Sequence, residues 1–137
     1  MQLIVGLKGT GKTKALIEEV NRASKESDGV VICIEYGRKL TFDIKYHARL
    51  VDAQEYGIND AQKLYGFVCG MLACNYDITD LFIDSALKIC GDDIKAFEGF
   101  LSAVDRITAD HGIKCVITAS VEAGSLSESA RAFIRSV

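Results

Sequence analysis

The chain alternates short apolar runs with helix-patterned segments, and that alternation leaves it few folds. Residues 30–34 (VVICI) are continuously apolar and rich in β-branched side chains, with no polar residue on either face. Such a run belongs to a strand buried on both sides. Residues 2–5 (QLIV), 80–84 (DLFID) and 115–118 (CVIT) read the same way, and 49–53 (RLVDA) reads as a short strand. Strands of this kind, separated by helices, need a mostly parallel sheet covered on both faces. The predicted fold is a three-layer αβα sandwich in one domain spanning residues 1–137.

Helices fill the intervals. Residues 12–24 carry Leu16, Val20 and Ala23 on one face, and the segment fades into the turn cluster 24–29 (SKESDG). Asn59 and Gln62 have capping-box spacing, followed by Leu64, Val68, Met71 and Leu72 on one face. Asp92 or Asp93 opens a third helix with Ile94, Phe97, Leu101, Val104 and Ile107 at helical spacing, closed by Gly112. A last helix opens with the box Ser125 to Glu128 and turns Leu126, Ala130, Phe133 and Ile134 inward. Residues 36–47 fit either a hairpin or an irregular excursion.

Composition removes whole classes. Hydrophobic residues at 49% and charged residues at 26% are ordinary globular values. No apolar run approaches the roughly 18 residues of a membrane span. The start of the chain carries no charged segment and its apolar run stops at Gly6, which predicts neither signal nor transit peptide and a cytoplasmic location. A net charge of −3 does not support nucleic-acid binding. The five cysteines are odd in number and none are spaced C-x-x-C, so they predict no disulfide framework or zinc site. Four lie in apolar runs and read as small buried hydrophobes.

Residues 6–13 read Gly6, Leu7, Lys8, Gly9, Thr10, Gly11, Lys12, Thr13, which matches G-x-x-x-x-G-K-[ST] at every fixed position. Glycines let the backbone wrap a phosphate without Cβ clashes, and consecutive N–H groups then form an anion nest. The helix that follows adds its own free N–H groups and its positive end. Lys12 supplies a point charge for the β- and γ-phosphates, and the Thr13 hydroxyl is a ligand for Mg²⁺. Lys8 and Lys14 flank the loop and add to phosphate attraction.

This loop, following a strand and opening a helix, resembles the P-loop NTPase superfamily, and the resemblance extends along most of the chain. The superfamily's second acid ends an apolar strand, and Leu81-Phe82-Ile83-Asp84 is similar to it, which implies that Asp84 holds Mg²⁺ through its water shell. A strand at 30–34 lies between loop and acid, as in the branch that includes AAA+ and RecA-type ATPases. Most of that branch places a glutamate directly after the acid, whereas this chain has Ser85. RecA-type ATPases instead carry the base at the end of the strand after the P-loop helix, and their acid is followed by serine. The pairs Ile34-Glu35 and Asp84-Ser85 resemble that arrangement, which implies a catalytic role for Glu35 beside Lys12. Thr118 and Ser120 stand where the superfamily often has a polar γ-phosphate sensor, and both also suit plain capping.

The resemblance is to the core alone. The AAA+ helical lid, the recombinase DNA-binding loops and the zinc lasso of RecA-like thymidine kinases have no counterpart. Among the remaining polar residues, His47 reads as an exposed loop histidine and His111 as a helix C-terminal cap. Arg131 and Arg135 read as surface charges or as arginine fingers offered to a second subunit. The expected function is binding of ATP and Mg²⁺ with weak ATPase activity. A non-hydrolysing switch that orders residues 36–47 for a partner protein comes second, and a small-molecule kinase third. A protein partner or a homo-oligomer is compatible with either of the first two.

Overall fold

The computed structural model describes residues 1–40, 43–45 and 47–135. Its strands are β1 (Gln2–Gly6), β2 (Val30–Glu35), β3 (Arg49–Asp52), β4 (Ile78–Ile83) and β5 (Lys114–Ser120). Its helices are α1 (Lys12–Glu26), α2 (Ala61–Cys74), α3 (Ala86–Ile89), α4 (Ile94–Asp110) and α5 (Glu128–Arg131). The strands form one sheet in the order β1-β5-β4-β2-β3, and every paired neighbour runs parallel. The architecture is the αβα sandwich that the apolar runs require.

The strand pleat divides the core in two. Ile4, Val31, Cys33, Phe82 and Val116 face α1, where they meet Leu16 and Val20. Leu3, Ile32, Ile34, Leu81, Ile83 and Ile117 face the other way, against Leu64 and Val68 of α2 and Phe97, Leu101 and Val104 of α4. Successive strand residues thus bury on opposite faces, which is why these runs contain no polar position. Carried one residue past the apolar runs, the same alternation aims Glu35, Asp84 and Thr118 at the α1 face. Glu35 ends β2, Asp84 follows β4, and Thr118 lies two residues before the end of β5, so all three sit near the carboxyl edge of neighbouring strands.

Several local expectations shift. The N-cap of α2 is Asp60, which accepts from Lys63 N at 2.7 Å, so the Asn59–Gln62 box does not form. Asn59 Oδ1 instead accepts from Lys63 Nζ at 2.9 Å. Asp93, not Asp92, caps α4, and His111 closes it with Nδ1 2.9 Å from the Ile107 carbonyl. The last helix shrinks to the one turn of α5, capped by Ser127 rather than Ser125. Residues beyond it are drawn to the free edge of β1: Leu3 N donates to Phe133 O at 2.8 Å and Arg135 N to Leu3 O at 2.9 Å. An open strand edge has unpaired N–H and C=O groups, and pairing them outweighs another helical turn. Cys33, Cys90 and Cys115 are buried, Cys69 is half-buried and Cys74 is exposed.

The described residues of 36–47 form no hairpin. Polar side chains tie down this excursion: Asp52 Oδ1 accepts from Gly37 N at 2.9 Å, and Asn21 bonds both Lys45 N (2.7 Å) and Asp43 O (3.0 Å). Its remaining positions, Thr41, Phe42 and Tyr46, lie outside the described residues.

Leu101 is fully buried between α4 and the sheet. Leu101→Ala is expected to destabilise the fold by about 2–5 kcal/mol, read as a lowered urea midpoint with an unchanged slope.

Candidate functional site

A cleft of about 410 Å³ opens at the carboxyl edge of the sheet, between the loop after β1 and the segment after β4. This is where ligands bind in open α/β sheets. Five lysines line it (Lys8, Lys12, Lys14, Lys39 and Lys88) against two carboxylates, Asp84 and Asp92. A chain of net charge −3 therefore gathers cations at one point. Such a cleft attracts a compact polyanion.

The glycine loop forms one wall. Gly6, Gly9 and Gly11 all have positive φ, at 154°, 87° and 86°. A Cβ on Gly6 would lie 2.6 Å from Thr10 Oγ1, so a larger residue there would have to push the Thr10 side chain aside. Gly11 caps α1 and offers no side chain to its first N–H groups, which leaves that end of the helix available to an anion. Leu7 is exposed, while its carbonyl accepts from Thr10 Oγ1 (2.7 Å) and Lys12 Nζ (2.8 Å). Lys12 thus spans the loop. Burial lowers its pKa from the ordinary lysine value, and the Asp84 carboxylate draws it back up. Thr13 and Lys14 open the helix and line the cleft; Gly6, Leu7 and Thr10 form the turn behind it.

Asp84 forms the floor. It is buried, and hydroxyls surround its carboxylate. Thr118 Oγ1 donates to Oδ1 at 2.7 Å, Thr13 Oγ1 lies 3.2 Å from the same oxygen, and Ser85 Oγ lies 3.3 Å from Oδ2. Thr118 Oγ1 also accepts from Ser85 N at 2.9 Å, so one buried hydroxyl serves both residues. Ser120 is exposed at the end of β5, opposite Gly6 in the register, and lines the cleft. A hydroxyl and a carboxylate this close, both hard oxygen donors, fit Mg²⁺ held by few protein ligands and completed by phosphate and water.

Glu35 is brought beside this group but not into the cleft lining. Asp84 N donates to Ile34 O at 2.8 Å, so the end of β2 abuts Asp84. The Cys33 thiol, one step below on the same face, is pushed up by burial first and then by Asp84 and Glu35. Glu35 is itself buried, and its Oε1 accepts from Lys39 N (2.8 Å) and Leu40 N (3.0 Å). It therefore latches the excursion, and Lys39 and Leu40 line the cleft in turn. Sequence spacing carries no signal for this latch, because its partners are backbone groups in an irregular segment. The turn α3, with Lys88 facing the cleft, is too short for periodicity to reveal.

Arg131 and Arg135 are engaged within the chain. Arg131 donates to Leu126 O at 2.6 Å. Arg135 pairs with the buried Glu19 and with Gln2, at the amino edge of the sheet and away from the cleft.

No family model matches the chain, and no curated protein matches it. Among solved structures it is similar to that of C. elegans PCH-2, with a TM-score of 0.55 and 18% identity over 99% of this chain. The chain spans 34% of the PCH-2 chain. The likeness is one of fold: a five-stranded parallel sheet in a P-loop-like αβα sandwich.

Thr118→Val keeps the shape of the side chain and removes the hydroxyl. Both Ser85 N and Asp84 Oδ1 lose a buried partner, so the fold is expected to lose about 2–3 kcal/mol in urea titration. A loss under about 0.5 kcal/mol would contradict this account of the floor.

Proposed function

We propose that this chain binds ATP with Mg²⁺ across residues 6–14 and hydrolyses it slowly. The observation that carries this reading is the convergence of Lys12, Thr13 and Asp84 in one lysine-rich cleft, with Thr13 Oγ1 3.2 Å from Asp84 Oδ1. The loop N–H groups and Lys12 take the phosphates. Thr13 and Asp84 would hold the ion, the hydroxyl directly and the carboxylate through its water shell. The ion, when bound, would supply positive charge against the charge that develops on the phosphates during transfer. Thr118 orients the Asp84 carboxylate, and Ser120 is within the cleft as a second hydroxyl for the terminal phosphate. The likeness to PCH-2, an AAA+ ATPase, supports the nucleotide-binding part of this reading through the fold alone.

Glu35 is the residue proposed to orient the attacking water, as in a RecA-type core. Water adds to the γ-phosphorus, the bond to the β–γ bridging oxygen breaks, and ADP leaves with phosphate. The row Glu35, Asp84, Thr118 on adjacent strands supports this role.

The latch favours a second reading. Glu35 links the cleft to the excursion through Lys39 and Leu40, so bound nucleotide can be read by a partner without turnover.

Two variants at one position separate these readings. Glu35→Gln keeps an oxygen for both N–H groups and removes the base. Glu35→Ala also removes the latch. Under the ATPase reading, phosphate release is measurable in the wild type and drops at least about a hundredfold in Glu35→Gln, with ATP affinity retained. Binding without release in the wild type selects the switch. Lys12→Ala is expected to abolish ATP binding; unchanged affinity would exclude both readings.

A further inference from the structure

Lys88 is the one exposed residue of α3. Its helix neighbours Ala86, Leu87 and Ile89 are buried against α4 and the sheet. The turn is fixed at both ends by residues in unfavourable conformations. Ser85 enters it at φ 57°, with its N–H on Thr118, and Asp92 leaves it at φ 60°, with its N–H on Leu87 O at 2.9 Å. Non-glycine residues adopt such angles only where the surroundings over-determine them, and they gather at functional sites. Thr118, which shapes the Asp84 carboxylate, thus also sets the backbone that carries Lys88.

The Lys88 side chain lines the cleft with Lys12, Thr13 and Asp84, reaching it from the β4 end, across β5 from the glycine loop. Its ammonium lies 4.7 Å from the centre of the Tyr36 ring, next in sequence to Glu35. Tyr36 is half-buried against the core; a cation over such a ring is held modestly, whereas a charge-assisted bond to phosphate is among the stronger polar contacts. Lys8, Lys12 and Lys14 belong to the glycine loop, and Lys39 hangs from the excursion that Glu35 latches. Lys88 alone among the five is fixed to the Asp84 wall.

Resting on the ATP-binding reading, we propose that Lys88 is a cis cationic contact for the terminal phosphate. It leaves the Tyr36 ring and donates to a γ-phosphate oxygen. The cleft thereby distinguishes a nucleoside triphosphate from a diphosphate without an arginine supplied by a second subunit.

The test is calorimetric titration of the full chain with ADP and with a non-hydrolysable ATP analogue, both with Mg²⁺. Lys88→Ala is expected to weaken the triphosphate analogue about tenfold and to leave ADP within about twofold, with Lys88→Arg recovering much of the difference. Equal losses for both ligands, or none, would overturn the proposal. So would a loss of discrimination in Lys39→Ala but not in Lys88→Ala. A wild-type chain that binds neither ligand would overturn the ATP reading and this one together. A wild-type chain that binds both, with no selective effect in Lys88→Ala, overturns the role of Lys88 alone.

Discussion

A buried carboxylate is costly unless it is served by donors, and the site depends on how that cost is met at Asp84. The donors are hydroxyls: Thr118 from the neighbouring strand, Thr13 from the first turn of α1, and Ser85 from the next residue. They satisfy the charge without neutralising it, so the carboxylate keeps its affinity for a cation. They also join three separate elements. Thr13 ties the loop helix to β4, Thr118 ties β5 to both Asp84 and Ser85, and Ser85 starts the turn that carries Lys88. A change at this point propagates to every part of the cleft.

The pleat supplies the rest. A parallel sheet buried on both faces must alternate its side chains between two cores. In β2, β4 and β5 that alternation continues past the apolar run and aims Glu35, Asp84 and Thr118 at the face where α1 begins. The polar row is the outermost layer of the same packing that sets Cys33, Phe82 and Val116 against Leu16 and Val20. The core thus aims the row, and the hydroxyl contacts around Asp84 join it. The excursion after Glu35 joins the same packing through Leu40, which is buried in that core, and is tied down by polar side chains at Glu35, Asp52 and Asn21.

What could be read from sequence follows the range of each interaction. The buried strands were legible because burial on two faces leaves a continuous apolar run, as in Val30–Ile34. The α4 face was legible because Ile94, Phe97, Leu101, Val104 and Ile107 repeat over about four turns. The glycine loop was legible because its chemistry sits in eight consecutive residues. Caps were misplaced by one or two positions at Asn59/Asp60 and Ser125/Ser127, where adjacent polar residues compete for the same N–H groups. The last helix was overextended because helical spacing at Phe133 and Ile134 says nothing of the open β1 edge that captures them. The Glu35 latch and the exposed Lys88 depend on an irregular segment and a four-residue helix, and neither leaves a periodic trace.

The central claim is that the cleft takes a nucleotide and Mg²⁺ together, through Thr13 and Asp84. Titration of the wild-type chain with ATP, with Mg²⁺ and again with a chelator, tests it most directly. The account predicts one site per chain, with affinity at least about tenfold higher when Mg²⁺ is present. Equal affinity in both conditions, or no binding in either, would contradict it.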